Sequence, residues 1–566
     1  MPEKVPAPST LFYGDNLDVL RRHVADESVD LVYLDPPFKS NQDYNVLFAE
    51  QDGTRAAAQI KAFEDTWCWD QEAAHVFKET VEGGGRVADV LRAFHVFLGE
   101  SDMMAYLAMM APRLVELRRV LKGTGSIYLH CDTTASHYLK VLLDAAFGPE
   151  NFANEIVWKR YGAHNDVGQG SRHFGRIHDV LLFYRRSSRS TWNQLFVPLD
   201  PDYVEKTYRW SDPDTGRRFT TTPLTGPGGA EKGNPVYEWK GHTRAWRYAK
   251  ETLAKLDAQG KLHYSRTGYA RQKLYLDESR GRPVQDIWAD ISNLSGAHAE
   301  RLGYPTQKPV ALLERIIAAS SNAGDTVLDP FCGCGTTIAA AQALGRRWIG
   351  IDVTHLAITL IRHRLRDAFG DKVEQTYRVI GEPISVPDAE TLAQQDPYQF
   401  QWWALGRVGA RPVEQKKGAD KGIDGRLYFH DDPREMHTKQ VILSVKAGHV
   451  TAAHVRDLRG VLDREQAEIG VLIAMQDFTG PMRKEAATAG FYHSDTWNKD
   501  YPRIQLLTVA ELLDGRGVDY PPSRQVDRTF KKAPKSVSKP TQAPTLFTGE
   551  TAGAPATAPK RRSRRR

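Results

Sequence analysis

Cysteine is scarce in this sequence: Cys68, Cys131, Cys332 and Cys334 are the only four in 566 residues. That count excludes a disulfide framework and points to a reducing, cytoplasmic setting. Cys332 and Cys334 alternate with glycines, and no paired Cys or His cluster lies near them in sequence to complete a zinc site. No apolar run approaches the roughly 20 residues needed to cross a bilayer. Residues 1–10 are polar and proline-rich, unlike a secretory signal. No GxxxxGK[ST] stretch is present, so a built-in ATP motor is not expected.

The length predicts two or three domains, each able to bury a core. Hydrophobic residues make up 41% and aromatic residues 10% of the chain, as in a soluble globular protein. The net charge of +6 is unevenly spread. Residues 521–566 carry twelve Lys/Arg against Asp527 and Glu550, so the rest of the chain is net negative. Nucleic-acid contacts in the folded part must therefore come from local patches. The tail is rich in Pro, Thr, Ala and Lys and is predicted to be disordered. Its end, 560–566, reads either as a phosphate-binding arm or as a solubilising tail.

One short stretch organises the chain. Val29-Asp30-Leu31-Val32-Tyr33-Leu34 is an apolar run of strand length, and Asp35-Pro36-Pro37-Phe38 follows it directly. The prolines stop the strand and fix the backbone. A carboxylate, a proline carbonyl and an aromatic face are left at the C-terminal end, where open α/β sheets bind ligands. Such a set suits methylation of an exocyclic aromatic amine, whose lone pair is delocalised into the ring. Asp35 and the Pro36 carbonyl can accept its N–H bonds, and Phe38 can stack on a base turned out of the helix. The plainer reading is a strand-ending turn.

About 300 residues later a second pattern appears. Tyr304-Pro305-Thr306-Gln307-Lys308-Pro309 leads into an amphipathic helix, followed by Thr326-Val327-Leu328-Asp329-Pro330-Phe331-Cys332-Gly333-Cys334-Gly335-Thr336-Thr337. This reads as strand, glycine loop and helix. Glycines let the backbone pass close beneath a nucleoside-type ligand. Asp352 ends the next strand, 17 residues beyond Gly335, where an acid can hold ribose hydroxyls. The three-glycine dinucleotide fingerprint is incomplete, because no glycine follows Gly335 at the third position.

Near the start, Gly14-Asp15-Asn16 either presents polar groups to a cofactor or caps a helix. His130 and Asp132 end another predicted strand. Residues 91–121 read as long helical material. Residues 190–300 interleave cations and rings in Tyr208-Arg209-Trp210, Arg217-Arg218-Phe219 and 244–250, a composition suited to phosphates and bases or to an irregular solvated insertion.

These motifs resemble the S-adenosylmethionine-dependent amino-methyltransferases of DNA. Their order resembles the beta-type arrangement of bacterial restriction–modification methylases, over residues 10–370. The resemblance implies an α/β fold: a Rossmann-like methyltransferase sheet with an inserted target-recognition region. A second, smaller α/β domain of restriction-endonuclease type and a disordered tail would follow. The implied segments are 1–189 (catalytic half), 190–300 (target recognition), 301–370 (donor-binding half), 371–397 (linker), 398–515 (nuclease-like) and 516–566 (basic tail). Carried over, Asp35, Pro36, Pro37 and Phe38 are catalytic. Asp15, Thr306, Asp329, Phe331, Gly333, Gly335 and Asp352 hold S-adenosylmethionine. The partner is double-stranded DNA, with a homodimer or a restriction–modification subunit as further partner and a bacterial, nucleoid-associated location. An Asp opening the tetrad resembles the adenine-N6 type more than the cytosine-N4 type. Cytosine-N4 methylation and a solitary methylase stay open, as do a nicotinamide or flavin oxidoreductase and a non-catalytic DNA-binding protein.

The C-terminal part carries Gly418-Ala419-Asp420-Lys421-Gly422-Ile423-Asp424-Gly425 and the strand-like 440–446. An acid on one strand and a lysine on the next can bind Mg²⁺ and activate water, or merely decorate a small α/β domain. These stretches resemble the Mrr-like branch of PD-(D/E)xK endonucleases. That implies Asp424 as metal-binding acid and Lys446 as catalytic lysine. Ser444 stands where the family usually has Glu or Gln, which removes a metal ligand unless Asp420 or Glu414 compensates.

Overall fold

The computed structural model describes residues 8–37, 68–162, 172–294, 298–304, 306–413, 422–431, 438–522 and 529–536. Residues 1–193 and 285–538 form one compact unit, and 194–284 belong to another.

The first unit is built on a nine-stranded sheet. Its order is Ile287–Trp288, Phe152–Lys159, His178–Arg185, Leu121–Cys131, Val29–Leu34, Thr326–Asp329, Arg347–Asp352, Ser9–Tyr13 and Tyr377–Ile380. Only His178–Arg185 runs antiparallel to its neighbours. Every residue of Val29–Leu34 is buried, as expected for a central parallel strand covered on both faces. Helix Asp102–Val120 lays Leu107, Leu114 and Leu117 into the core beneath it. The α/β sheet thus has the form expected.

Three local expectations are corrected. The long helix over 91–121 is two helices, Gly85–Leu98 and Asp102–Val120, the second capped by Ser101, whose hydroxyl accepts the Met104 N–H at 3.2 Å. Gly99, at φ +61°, ends the first. The next strand begins at Leu121 and runs through the Gly123–Gly125 stretch that reads as a turn. Residues 371–396 are no plain connector: Tyr377–Ile380 joins the main sheet beside Ser9–Tyr13, and Val386–Gln395 is a helix.

The same unit contains a five-stranded sheet ordered Arg411–Pro412, Gly425–Phe429, Lys439–Lys446, Ile469–Ala474 and Ile504–Thr508. Its last three strands are parallel. Helix Pro397–Arg407 packs Phe400 and Trp403 against this sheet. Its other side meets helix His355–Phe369, where Gln399 Oε1 accepts the His355 backbone N–H at 3.0 Å. Trp402 closes a cluster with Tyr304, Cys334, Leu356, Leu360 and Phe530. Phe530 lies in the segment predicted to be disordered, yet residues 529–536 are folded. Thr529 Oγ1 accepts from Tyr428 N at 2.9 Å, and Ser536 N donates to Ala368 O at 3.0 Å. The basic stretch 560–566 lies outside the described residues.

The second unit has a four-stranded antiparallel sheet ordered Leu262–Tyr264, Ala270–Tyr275, Arg218–Pro223 and Trp210–Ser211. Leu224, Trp246 and Leu253 form its small core. Several rings that read as base-stacking are therefore core: Trp246 is fully buried, and Phe219 and Tyr208 nearly so. Arg217 is taken by Asp277 and Glu278, and Arg218 by Glu205. Trp210 stays 41% exposed. Among the described residues no helix is long and apolar enough to cross a membrane.

Candidate active site

The buried strand Val29–Leu34 delivers Asp35 to the C-terminal edge of the sheet. Its parallel neighbour Thr326–Asp329 pairs Val327 with Leu31 and Leu328 with Val32. The two motifs, almost 300 residues apart, therefore leave adjacent strands on the same edge. A third parallel strand, Arg347–Asp352, brings Asp352 to that edge through the pair Asp329↔Gly350. Three carboxylates converge there, a field that favours a cationic ligand.

Asp35 accepts a hydrogen bond from the Lys308 ammonium, and the two side chains are only 24% and 15% exposed. Pro36 is buried and Pro37 half-buried. Phe38 lies outside the described residues. Asp329 is almost fully buried and accepts the Phe331 N–H at 3.0 Å. Burial, reinforced by the nearby charges of Asp35 and Asp352, pushes its carboxyl up to about 7, against the hydrogen bonds of Thr337 and Phe331.

The glycine loop is set by backbone geometry. Gly333 has φ +48°, and a Cβ there would sit 3.2 Å from the Tyr304 ring. Its N–H donates to Asp352 Oδ2 at 2.9 Å. Gly335, at φ +73°, starts helix Thr336–Ala343, and a Cβ there would meet Ile361 at 2.7 Å. Asp352 also accepts from Thr354 N and Oγ1 at 2.9 and 2.8 Å, and burial pushes its carboxyl up to about 6. Phe331 is half-buried and packs against the core.

Asp15 caps helix Asn16–His23 through Leu17 N at 2.9 Å, which is its plainer reading. It also accepts from Arg113 Nη2 at 2.7 Å. Thr306 is exposed, and its carbonyl lies 3.4 Å from Lys308 Nζ. Several residues not singled out in the sequence tie the site together. Arg113 Nε donates to Asn16 Oδ1 at 2.6 Å, and Asn16 Nδ2 donates to Pro330 O at 2.9 Å. Buried Arg364 donates to Cys334 O and Thr336 Oγ1, bracing the glycine loop from below.

A buried chain of polar groups underlies the Asp35 strand. His130 Nε2 faces Asp179 Oδ2 at 2.9 Å, and His130 Nδ1 faces the Tyr33 hydroxyl at 2.9 Å. Burial, then the charges of Asp35, Asp329 and Asp179, holds the Tyr33 hydroxyl protonated. An ionised Asp179 can only accept, so Nε2 donates to it. Arg160 closes the chain at 3.1 Å from Asp179. Asp132, by contrast, caps the turn into helix Ser136–Phe147 through Thr134 N at 2.8 Å.

The expected metal site in the C-terminal sheet does not fit a cation. Asp424 is buried, and its Oδ2 accepts from Val445 N at 2.7 Å and Ser444 Oγ at 3.1 Å, with Lys446 Nζ at 3.6 Å. Oδ2 is thus committed to the neighbouring strand. Position 444 offers a hydroxyl in place of a second carboxylate, and Glu414 and Asp420 lie outside the described residues. Among the described residues no cluster of three or more His, Cys, Asp or Glu could hold a metal ion.

Residues 29–362 match the N6/N4 methyltransferase family model, described as DNA methylase, and residues 397–514 match NACHT-associated inactive restriction endonuclease 1. The chain is 30% identical over 374 residues to the type II methyltransferase M.EcaI of Enterobacter cloacae, covering 65% of this chain and 72% of that protein. It is 27% identical over 351 residues to the StyLTI Mod subunit, a type III restriction-modification enzyme of Salmonella typhimurium, covering 58% of this chain and 49% of that one. A solved methylase structure from Thermus thermophilus is 16% identical and covers 66% of this chain and 99% of its own, with a TM-score of 0.31.

Proposed function

The chain belongs to the N6/N4 family of DNA methylases, and on that footing we propose that it methylates the N6 amine of adenine in double-stranded DNA with S-adenosylmethionine as donor. The observation that supports this best is the adjacency of two strand ends. Asp35 follows Val29–Leu34, and the glycine loop follows the neighbouring Thr326–Asp329. S-adenosylmethionine supplies an electrophilic methyl group on a sulfonium.

The residues present fit that donor. The turn at Gly333 has no side chain, and Asp352 stands beside it, accepting the Gly333 N–H, as the acid proposed to meet the ribose hydroxyls. Asp15, Asp329, Phe331, Gly335 and Thr306 complete the donor side. The surrounding carboxylates suit a positive ligand.

Asp35 and the Pro36 carbonyl take the N–H bonds of the amine of a base turned out of the duplex, and Phe38 covers its ring. Asp35 orients the amine and stabilises the positive charge that grows on nitrogen. Lys308 holds the Asp35 carboxylate in place until the amine arrives. The tetrad's opening Asp favours adenine over cytosine. The Mod-subunit relative supports work within a restriction–modification system, with the C-terminal domain as a non-cutting partner module.

Sequencing with modified-base detection, after expression in a methylation-free host, tests the whole reading. N6-methyladenine at one recurring sequence is the expected outcome. N4-methylcytosine would shift the reading to that base, and no modified base would overturn it.

A further inference from the structure

The opposite edge of the main sheet carries a pocket. A cavity of about 720 Å³ opens where helix Gly85–Leu98 starts, helix Asp102–Val120 ends, and the chain leaves helix Ser136–Phe147. It lies far along the sheet from Asp35. Arg186 follows strand His178–Arg185, and its N–H reaches Gly125 O at 2.9 Å, at the level where Val29–Leu34 begins.

Three guanidinium groups from separate elements line the cavity: Arg86, Arg118 and Arg186. Its wall also includes Arg119, which is saturated by Glu116, Asp26 and two backbone carbonyls. The other three make no side-chain hydrogen bond or close ion pair among the described residues, although Glu150 lies near enough to attract Arg118. Arg186 is half-buried, and its Nε finds no acceptor among the described residues. Glu150 is the only carboxylate lining the cavity among the described residues. Arg86 and Arg118 are exposed, and burial, then Arg186 and Arg86, keeps the Arg118 guanidinium below its ordinary value against the pull of Glu150.

The start of helix Gly85–Leu98 adds to the field. Its N-cap, Gly84, offers no side chain, and its first turn holds no acid. Gly84 and Gly85 have φ +72° and +82°, with open space where a side chain would stand. Free helix N–H groups and unpaired guanidiniums share one natural ligand, a phosphate. Phe147, Val87 and Ala146 provide an apolar wall, and the volume falls in the range of small-molecule sites, roughly 300–1,000 Å³.

We propose that this pocket binds a small phosphorylated ligand with at least two negative charges, separately from the methylation site. The uncapped helix start and the excess of guanidiniums are one arrangement, completed by an anion.

Calorimetry and thermal melting of the full chain with sodium pyrophosphate and with ADP test this. Saturable binding is expected, weakened about tenfold or more by Arg186→Gln and by Arg118→Gln. Arg92→Gln, which removes a guanidinium already paired with Asp89, should leave binding unchanged. Without ligand, Arg118→Gln should melt at or above the wild-type temperature, because like charge is relieved. Arg86→Gln, at the exposed first turn, repeats the test should a more buried variant misfold. ADP binding tighter than pyrophosphate identifies a nucleoside-bearing ligand; equal binding identifies the phosphates alone. Absence of saturable binding at millimolar concentration, unchanged affinity in the Arg variants, or displacement by duplex DNA would each overturn the proposal.

Discussion

Lys308 and Asp35, 273 residues apart, form a buried-edge ion pair at the end of the Val29–Leu34 strand. The pair links the stretch before helix Val310–Ser320 to the acid proposed to hold the amine. Removing either partner leaves the other without its charge partner, and the two losses differ. Asp35→Ala should keep donor binding and reduce methyl transfer by about a hundredfold or more. Calorimetry with S-adenosylmethionine beside tritium transfer to unmethylated DNA measures both.

Lys308→Gln should act more mildly. Asp35 keeps its place on the strand but loses its fixed orientation, so kcat should fall by about tenfold with the fold intact. Single-turnover transfer by Lys308→Gln and Lys308→Arg checks it. Arg should recover part of the rate, since it restores the charge.

Asp329 predicts a pH dependence of stability. Its carboxyl is pushed up to about 7 in the folded chain, against about 3.9 when unfolded. Between those values the folded chain binds the extra proton. The stability linked to Asp329 is therefore present at acid pH and declines as pH rises from about 4 to 7, by at most about 1.4 kcal/mol per unit. Asp352, at about 6, acts in the same direction. Asp329→Asn should gain stability relative to wild type as pH rises, measured by urea unfolding at several pH values.

Trp402 joins the C-terminal domain to the back of the glycine loop, packed with Tyr304 and Cys334. Trp402→Ala should cost about 3–5 kcal/mol of stability. It should also weaken donor binding, since the Gly333 turn rests against Tyr304. Denaturant unfolding followed by donor titration separates the two effects.

Asp424 should behave as a structural acid. Asp424→Ala leaves Val445 N unpaired and should destabilise the C-terminal sheet by about 1–3 kcal/mol. Supercoiled plasmid should stay uncut by wild type and variant alike in Mg²⁺.

Much of this is legible in the amino-acid sequence alone. Asp35 and Asp329 each end an apolar strand, and proline after a strand is a local signal that needs no tertiary context. Glycines at Gly333 and Gly335 are legible for the same reason. The Lys308 pair was not, because no local pattern reports a contact across 273 residues. Nor was Tyr377–Ile380, a four-residue strand directly after a short 3-10 turn, whose strand state comes from pairing with Ser9–Tyr13. The cation–aromatic segments misled because the same rings that suit bases also fill a small core. Trp246 and Phe219 went inward.

Ser9–Tyr13 sits between Arg347–Asp352 and Tyr377–Ile380. This segment leaves the ribosome long before either of its flanking strands has been made. Until they arrive, both its sides are open templates for any extended chain nearby. Synthesis of this methylase is thus exposed to premature pairing, and a chaperone that shields the early segment should raise its soluble yield.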